Sequence, residues 1–449
     1  GGSGKSTSSF NHPGPGTGRP SLDWTAMTHD PRRRVYLDHA ATTPVRPVAL
    51  AAFSEAAALG ANPASLHASG RQAKLVLEQA RDRLAADLGC HPSEVVLTSG
   101  GTEADNLAVT GLFRARNATG PSPVTAVGAV PRPRIVYTGV EHHAVLDVID
   151  RLVEREEAES VLVPVDGEGV VDLVAWQAAL AEAPERTALA VMMWANNEIG
   201  AVQPVAEAAR IAAAHGVPLH TDAVQAFGAL EVDFAASGAT TMAVSGHKLG
   251  APVGVGALCV RRDARLEPIL HGGGQERRLR SGTVSVALAA AFAAAADQAV
   301  AERVDEARRL SGLRDRVIDA LLTMPGVRLT GPRDIDPATG QALAAGTRRL
   351  PGNVHVTVDG TNADALLFAC DTAGLDTSSG SACTAGVAEP SHVVAALAEA
   401  AGLPPEAARA PQRFSLGHTT TDADVDRVLQ TLPGLVAGLA DPTDEGARP

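Results

Sequence analysis

From Val95 onward, short runs rich in β-branched residues alternate with long helical stretches, and this alternation constrains the fold more than any other feature of the chain. The strand-like runs fall at 95–98, 134–138, 161–165, 188–194, 217–221 and 241–245. Strands separated by helix-length segments form βα units around a mostly parallel sheet, so the class is α/β. Ligands of such sheets bind beyond the carboxyl ends of the strands, which gathers residues distant in sequence along one edge. Past about Val284 the chain changes character. An alanine-rich helix to about Leu322, a strand-like run at 354–358 and further helices predict a smaller α+β domain at the C-terminal end.

The 449 residues, 45% of them apolar, suffice for two domains. Residues 1–30 hold Gly, Ser, Thr and Pro without apolar periodicity and read as a disordered leader or an expression remnant. They contain Gly-Ser-Gly-Lys-Ser-Thr, but the first glycine and the preceding strand of a phosphate loop are missing. Two polar stretches, 116–133 and 332–349, read as surface insertions. The most apolar run, 286–296, stops at Asp297, short of the roughly 20 residues a membrane span needs, so no membrane is expected. A formal charge of -13 argues against a direct nucleic-acid surface. Cys90, Cys259, Cys370 and Cys383 are far apart with no C-x-x-C spacing. That suggests neither a metal site nor a disulfide framework, and it fits a reducing, cytoplasmic setting.

Lys248 follows the strand-like run 241–245 in Ser245-Gly246-His247-Lys248, ahead of a loop constrained by Gly250, Pro252, Gly254 and Gly256. Taken alone, a loop lysine is usually a solvated one. Asp222 ends the run 217–221 and puts a carboxylate at the same sheet edge, although an aspartate there is also a common helix N-cap. Ser99-Gly100-Gly101-Thr102 lies between a strand and a helix, where glycines free the backbone and the helix N-terminus presents amides to an anion. Thr102 with Asp105 also fits a capping box. Ser245 and His247 can add donors from the lysine loop. An amine, a carboxylate and an anion cradle are what pyridoxal phosphate needs for its aldehyde, ring nitrogen and phosphate.

With these residues the chain resembles the cysteine desulfurases of the class V aminotransferase group, over about residues 34–440. The resemblance is carried by Tyr36-Leu37-Asp38-His39-Ala40-Ala41-Thr42-Thr43-Pro44, Asn62-Pro63-Ala64-Ser65, Thr98-Ser99-Gly100-Gly101-Thr102-Glu103, Asn196-Asn197-Glu198-Ile199-Gly200, Ser245-Gly246-His247-Lys248 and Arg280-Ser281-Gly282-Thr283. It implies the fold-type I architecture of pyridoxal-phosphate-dependent transferases. The divisions it implies are an N-terminal arm over 31–46 that joins the small domain, a large cofactor-binding domain over 47–285, a small domain over 286–441 and a tail over 442–449. It further implies that Lys248 holds the cofactor, Asp222 pairs with the ring nitrogen, and Gln225 and Asn197 lie near the ring oxygen and the substrate. Gly101, Thr102, Ser245 and His247 would bind the phosphate, and Thr283 would reach the phosphate of a second protomer in a homodimer. His142, selected over His143 by the family pattern alone, would stack on the ring and help move protons. Arg413 would hold the substrate carboxylate through its planar fork.

Ser378-Ser379-Gly380-Ser381-Ala382-Cys383-Thr384-Ala385-Gly386 is small and polar throughout, so Cys383 does not fit the buried apolar setting expected of Cys90, Cys259 and Cys370. An accessible thiol, once ionised, is a competent nucleophile. The segment resembles the longer cysteine loop of the desulfurase subgroup associated with iron-sulfur cluster assembly and tRNA thiolation. The implied reaction moves sulfur from L-cysteine to Cys383, leaves L-alanine, and hands the sulfur to an iron-sulfur scaffold or a tRNA-thiolating enzyme. A selenocysteine lyase or another class V aminotransferase is the nearest alternative, and a non-catalytic sulfur carrier or scaffold is a more distant one.

Overall fold

The computed structural model describes residues 34–118, 130–380, 391–404, 408 and 410–439. The chain enters through β1 (Val35–Tyr36), α1 (Pro47–Ala57) and α2 (Ala68–Asp87). A βα succession follows: β2 (Val95–Thr98), α3 (Gly101–Asn117), β3 (Arg134–Thr138), α4 (His143–Glu156), β4 (Glu159–Val163), α5 (Leu173–Glu182), β5 (Thr187–Val191), α6 (Val205–Ala214), β6 (Leu219–Asp222), α7 (Phe234–Ser237), β7 (Thr241–Ser245) and β8 (Gly256–Val260). The remainder is α8 (Val286–Leu321), β9 (Val327–Leu329), β10 (Asn353–Val358), α9 (Ala363–Thr372), β11 (Leu375–Asp376), α10 (His392–Ala400), β12 (Pro411–Ser415) and α11 (Asp422–Leu439). Among the described residues no helix is long and apolar enough to cross a membrane.

Strands β2 to β8 form one sheet in the order β2-β8-β7-β6-β5-β3-β4. Within it β8 runs against its neighbours and the other pairs are parallel. The sequence does not announce β8, because the glycines before it read as a continuation of the lysine loop. Proline sets two of the other boundaries. Pro164 has no N–H to give the ladder, so β4 stops at Val163, and Pro218 delays the start of β6 to Leu219. The sheet is covered on both faces: Val95 and Leu97 pack toward α1, α2, α6 and α8, whereas Val96 packs toward α3. Burial on both sides is why these strands read as continuous apolar runs.

A second core gathers Val35 and Leu37, the C-terminal half of α8, β10, β12, α9 and α11. Its sheet has the order β12-β10-β9 and is antiparallel. The arm joins it through β1, which pairs with β11, and through a bridge between Asp38 and Ser415. Helix α8 serves both cores: Ala289, Ala291, Ala293, Ala295 and Ala296 are buried in the first and Leu313, Val317 and Leu321 in the second. Alanine favours the helical state and leaves room for α1 and α2 to pack closely.

The stretch 332–349 is more than the surface insertion that its polarity suggests. Asp334 is buried and accepts from the amides of Gly346, Arg348 and Arg349 and from Arg314 Nη1. Arg349 is fully buried and donates to the carbonyls of Ile199 and Thr330. Of the stretch 116–133, residues 119–129 lie outside the described residues, and its ends are joined by the Asn117 side chain, which accepts from Arg132 N at 2.7 Å.

Candidate active site

The carboxyl ends of β2, β6 and β7 and the loops after β3 and β5 converge on a cavity of about 230 Å³. Lys248, Asp222, Gln225, Asn197, His142, Gly101, Thr102, Ser245 and His247 all line it. Nine of the residues singled out in the sequence, drawn from positions 101 to 248, thus line one cavity. Lys248 sits in the turn after β7, its ammonium donating to the carbonyls of Ala40 at 2.6 Å and Ala41 at 2.8 Å. Gln225 donates to the same Ala40 carbonyl at 2.9 Å, so the segment around Ala40 is tied to two residues that line the cavity. His247 faces Thr42 across 3.2 Å, and burial followed by the nearby Lys248 holds its imidazole down to about 4.

Asp222 is the last residue of β6 and is buried. Its side chain accepts from Val224 N at 2.8 Å, a local turn rather than the cap of a helix. Burial pushes its carboxyl up to about 6, with Lys248 pulling the other way. Of the two adjacent histidines, His142 lines the cavity while His143 pairs with Asp147 at 3.1 Å and meets His392 edge-on. His142 caps α4, its Nδ1 accepting from Ala144 N at 3.1 Å, so the neutral ring carries its proton on Nε2. Burial and then Lys248 hold it down to about 4, which keeps it neutral near pH 7.

Arg413 on β12 lies beside the cavity, with Nη1 donating to the Asn197 carbonyl at 2.9 Å and to Gly380 at 3.2 Å. Its Nη2 pairs with Asp38 at 2.8 Å, and its buried Nε has no partner. Thr283 is elsewhere: it is exposed and lines two other clefts with Val284. Cys383 lies outside the described residues. The described neighbours of its segment are anchored near Arg413, Gly380 through the carbonyl just named and Ser391 through a 2.5 Å bond to Glu198 Oε2. Of the other cysteines, Cys259 and Cys370 are buried, but Cys90 is only half-buried.

The sequence profile of the aminotransferase class-V family matches residues 35–428. The chain belongs to that family. Within it, the chain is 47% identical over 403 residues to an IscS-like cysteine desulfurase of Mycobacterium tuberculosis, covering 90% of this chain and 96% of the relative. Among solved structures, a NifS-like protein superposes with a TM-score of 0.78 at 29% identity, covering 90% of this chain and all (100%) of the other. A structure described as SspA in complex with cysteine superposes with a TM-score of 0.68 at 30% identity, covering 85% of this chain and 98% of the other.

Cysteine desulfurases of this class V family depend on pyridoxal phosphate, and the residues of the cavity fit that group. Helix α3 begins at Gly101 with no side-chain cap, so its first amides are left for an anion. Facing it, the Ser245 hydroxyl is buried without a partner. The backbone here is crowded: a Cβ on Gly256 would come within 2.7 Å of the Gly100 carbonyl carbon, and one on Gly101 within 2.7 Å of Val224 Cγ2. A buried carboxylate with one amide partner and an amine in the same cavity complete the donor set for ring nitrogen and aldehyde.

Two buried acidic residues, one lining the cavity and one behind it, escaped the sequence reading. Asp105 does not form a capping box with Thr102; it turns inward to the cavity and meets His220 Nε2 at 3.1 Å. Glu103 instead accepts from Ser99 N at 2.8 Å. Glu141, fully buried beside His142, accepts from Thr138 Oγ1 at 2.6 Å and Met193 N at 3.0 Å, and burial pushes its carboxyl up to about 7. The signal for both was present: an acidic residue one or two turns past a strand end has no apolar reason to be there.

His355 on β10 is also fully buried, and burial, then Arg413 and Arg349, hold its imidazole down to about 3 from an ordinary 6.5. The unfolded chain takes up a proton that the folded chain refuses. The stability His355 contributes is therefore complete above pH 6.5 and drains away as pH falls toward 3. His355→Gln is expected to lose less stability than the parent between about pH 7 and about pH 4.5, by up to about 1.4 kcal/mol per pH unit. Urea midpoints at both pH values measure this, and parallel losses would contradict it.

Proposed function

We propose that this cavity takes sulfur from free L-cysteine, releases L-alanine and leaves the sulfur as a persulfide on Cys383. The observation that carries the reading is that Lys248 and Asp222 line one cavity whose floor is the uncapped start of α3. Pyridoxal phosphate, when bound, supplies an electron sink for the substrate's α-carbon. Lys248 would hold it, and its Nζ would be the base that takes the substrate's α-proton. Asp222 would hold the ring-nitrogen proton, while Gly101, Thr102, Ser245 and His247 would grip the phosphate. Asn197 and Gln225 would orient substrate and ring, and His142, with its proton on Nε2, would stack on the ring and pass protons.

The Cys383 thiolate attacks the substrate sulfur. An S–S bond forms as the Cβ–S bond breaks, the bonding pair stays with carbon, and protonation completes alanine. Cysteine plus thiol thus becomes alanine plus persulfide, with no external oxidant. Arg413 clamps the substrate carboxylate, a role supported by its buried, unpartnered Nε beside Asn197. Arg413→Lys keeps the charge but loses the fork, and is expected to raise the KM for cysteine about ten- to a hundredfold with a smaller change in kcat. An unchanged KM would remove Arg413 from the substrate site.

The chain works as a homodimer in which Thr283 contacts the phosphate held by the second protomer, a reading supported by its exposure away from its own cavity. The division into an arm over 31–46, a large domain over 47–285 and a small domain over 286–441 is supported by two separate cores with α8 passing between them. The sulfur goes to an iron-sulfur scaffold, which the name of the IscS-like relative supports, or to a tRNA-thiolating enzyme in the cytoplasm. Incubating purified holoenzyme with cysteine, selenocysteine and serine tests the activity. Alanine and sulfide in equal amounts from cysteine are expected, and alanine from selenocysteine alone would make the protein a selenocysteine lyase.

A further inference from the structure

Glu276, Arg277 and Arg278 carry φ angles of 44°, 57° and 64°. A run of left-handed non-glycine residues is costly, because each Cβ crowds the following carbonyl, and it persists only where the surroundings enforce it. The Glu276 side chain ties this turn to the sheet. It is buried and accepts from Arg81 Nη1 at 2.8 Å, Arg81 Nη2 at 2.7 Å and the backbone amide of Leu97 at 2.8 Å. Leu97 belongs to β2, the edge strand of the large sheet, so one carboxylate closes a sheet edge and pins the turn. The turn also closes on itself, Arg278 N donating to the Gln275 carbonyl at 2.9 Å and Leu279 N to the Glu276 carbonyl at 3.0 Å, while residues 277 and 278 are exposed.

The turn leads directly to Thr283. Between them Arg280 pairs with Glu103 at 2.7 Å, and Glu103 in turn accepts from Ser99 N at 2.8 Å, at the start of the phosphate cradle. Thr283 itself lies in the exposed clefts that Arg277 and Arg280 also line.

We propose that Glu276 is a positioning residue: anchored to Arg81 and the Leu97 amide, it holds residues 276–278 left-handed so that Thr283 is presented to the cofactor phosphate of the second protomer. This rests on the reading of Thr283 given above. It assigns to a strained turn, rather than to any group touching the cofactor, part of the grip on pyridoxal phosphate.

The test is the rate at which holoenzyme releases pyridoxal phosphate, followed by its visible absorbance. Glu276→Gln and Thr283→Ala are each expected to speed release about tenfold, and the double variant about as much as either alone, because both act on one contact. Arg278→Gly relieves the left-handed cost, since glycine adopts this conformation freely. It is expected to restore Glu276→Gln to within about twofold of the parent while leaving Thr283→Ala fast. Arg81→Lys, which loses the forked pair from the other side, repeats the measurement if Glu276→Gln does not fold. Fast release from Thr283→Ala with parental release from both bridge variants, or no rescue by Arg278→Gly, overturns the inference alone. Parental release from Thr283→Ala overturns the reading of Thr283 and the inference with it.

Discussion

Lys248→Ala is expected to abolish cysteine turnover, by at least about ten-thousandfold, and to remove the visible absorbance of lysine-bound cofactor. Two losses combine in this one change. On the roles proposed above, the amine that would fix the cofactor goes, and so does the base that would take the α-proton. Folding should survive, because Lys248 is a turn residue whose ammonium bonds two carbonyls of the arm rather than a core side chain. The absorbance of the purified variant and its rate of alanine formation check this together. An unchanged band would mean that another lysine is the anchor.

Cys383→Ala should lose sulfide release by about a thousandfold under added thiol while retaining bound cofactor. The reason is the separation of the two jobs in the chain. Cavity-lining residues come from positions 101 to 248, and Cys383 lies more than a hundred residues further on, between the anchored Gly380 and Ser391. Sulfide release near the parental rate would show that the sulfur does not pass through Cys383.

Much of this site was legible because its chemistry falls where short apolar strands end. Asp222 and Lys248 could be placed at one edge from β-branched runs alone, since a parallel sheet points all its carboxyl ends the same way. What could not be read depended on side-chain direction. Thr102 and Asp105 have capping-box spacing, but Asp105 points into the cavity toward His220, and spacing carries no information about that choice. His142 and His143 are indistinguishable in sequence; the start of α4 between them puts one in the cavity and the other on Asp147. Strand β8 was hidden by the glycines before it, and the polarity of 332–349 concealed the buried bonds of Asp334 and Arg349. The strained turn at 276–278 had no signal at all, because no glycine marks its left-handed residues.

The most direct measurement is a crystal structure of the purified protein grown with pyridoxal phosphate. The expected density joins the cofactor to Lys248, sets the ring nitrogen against the Asp222 carboxylate and seats the phosphate on the first amides of α3 beside Ser245. Density in another cavity, or a ring whose nitrogen faces away from Asp222, would contradict it.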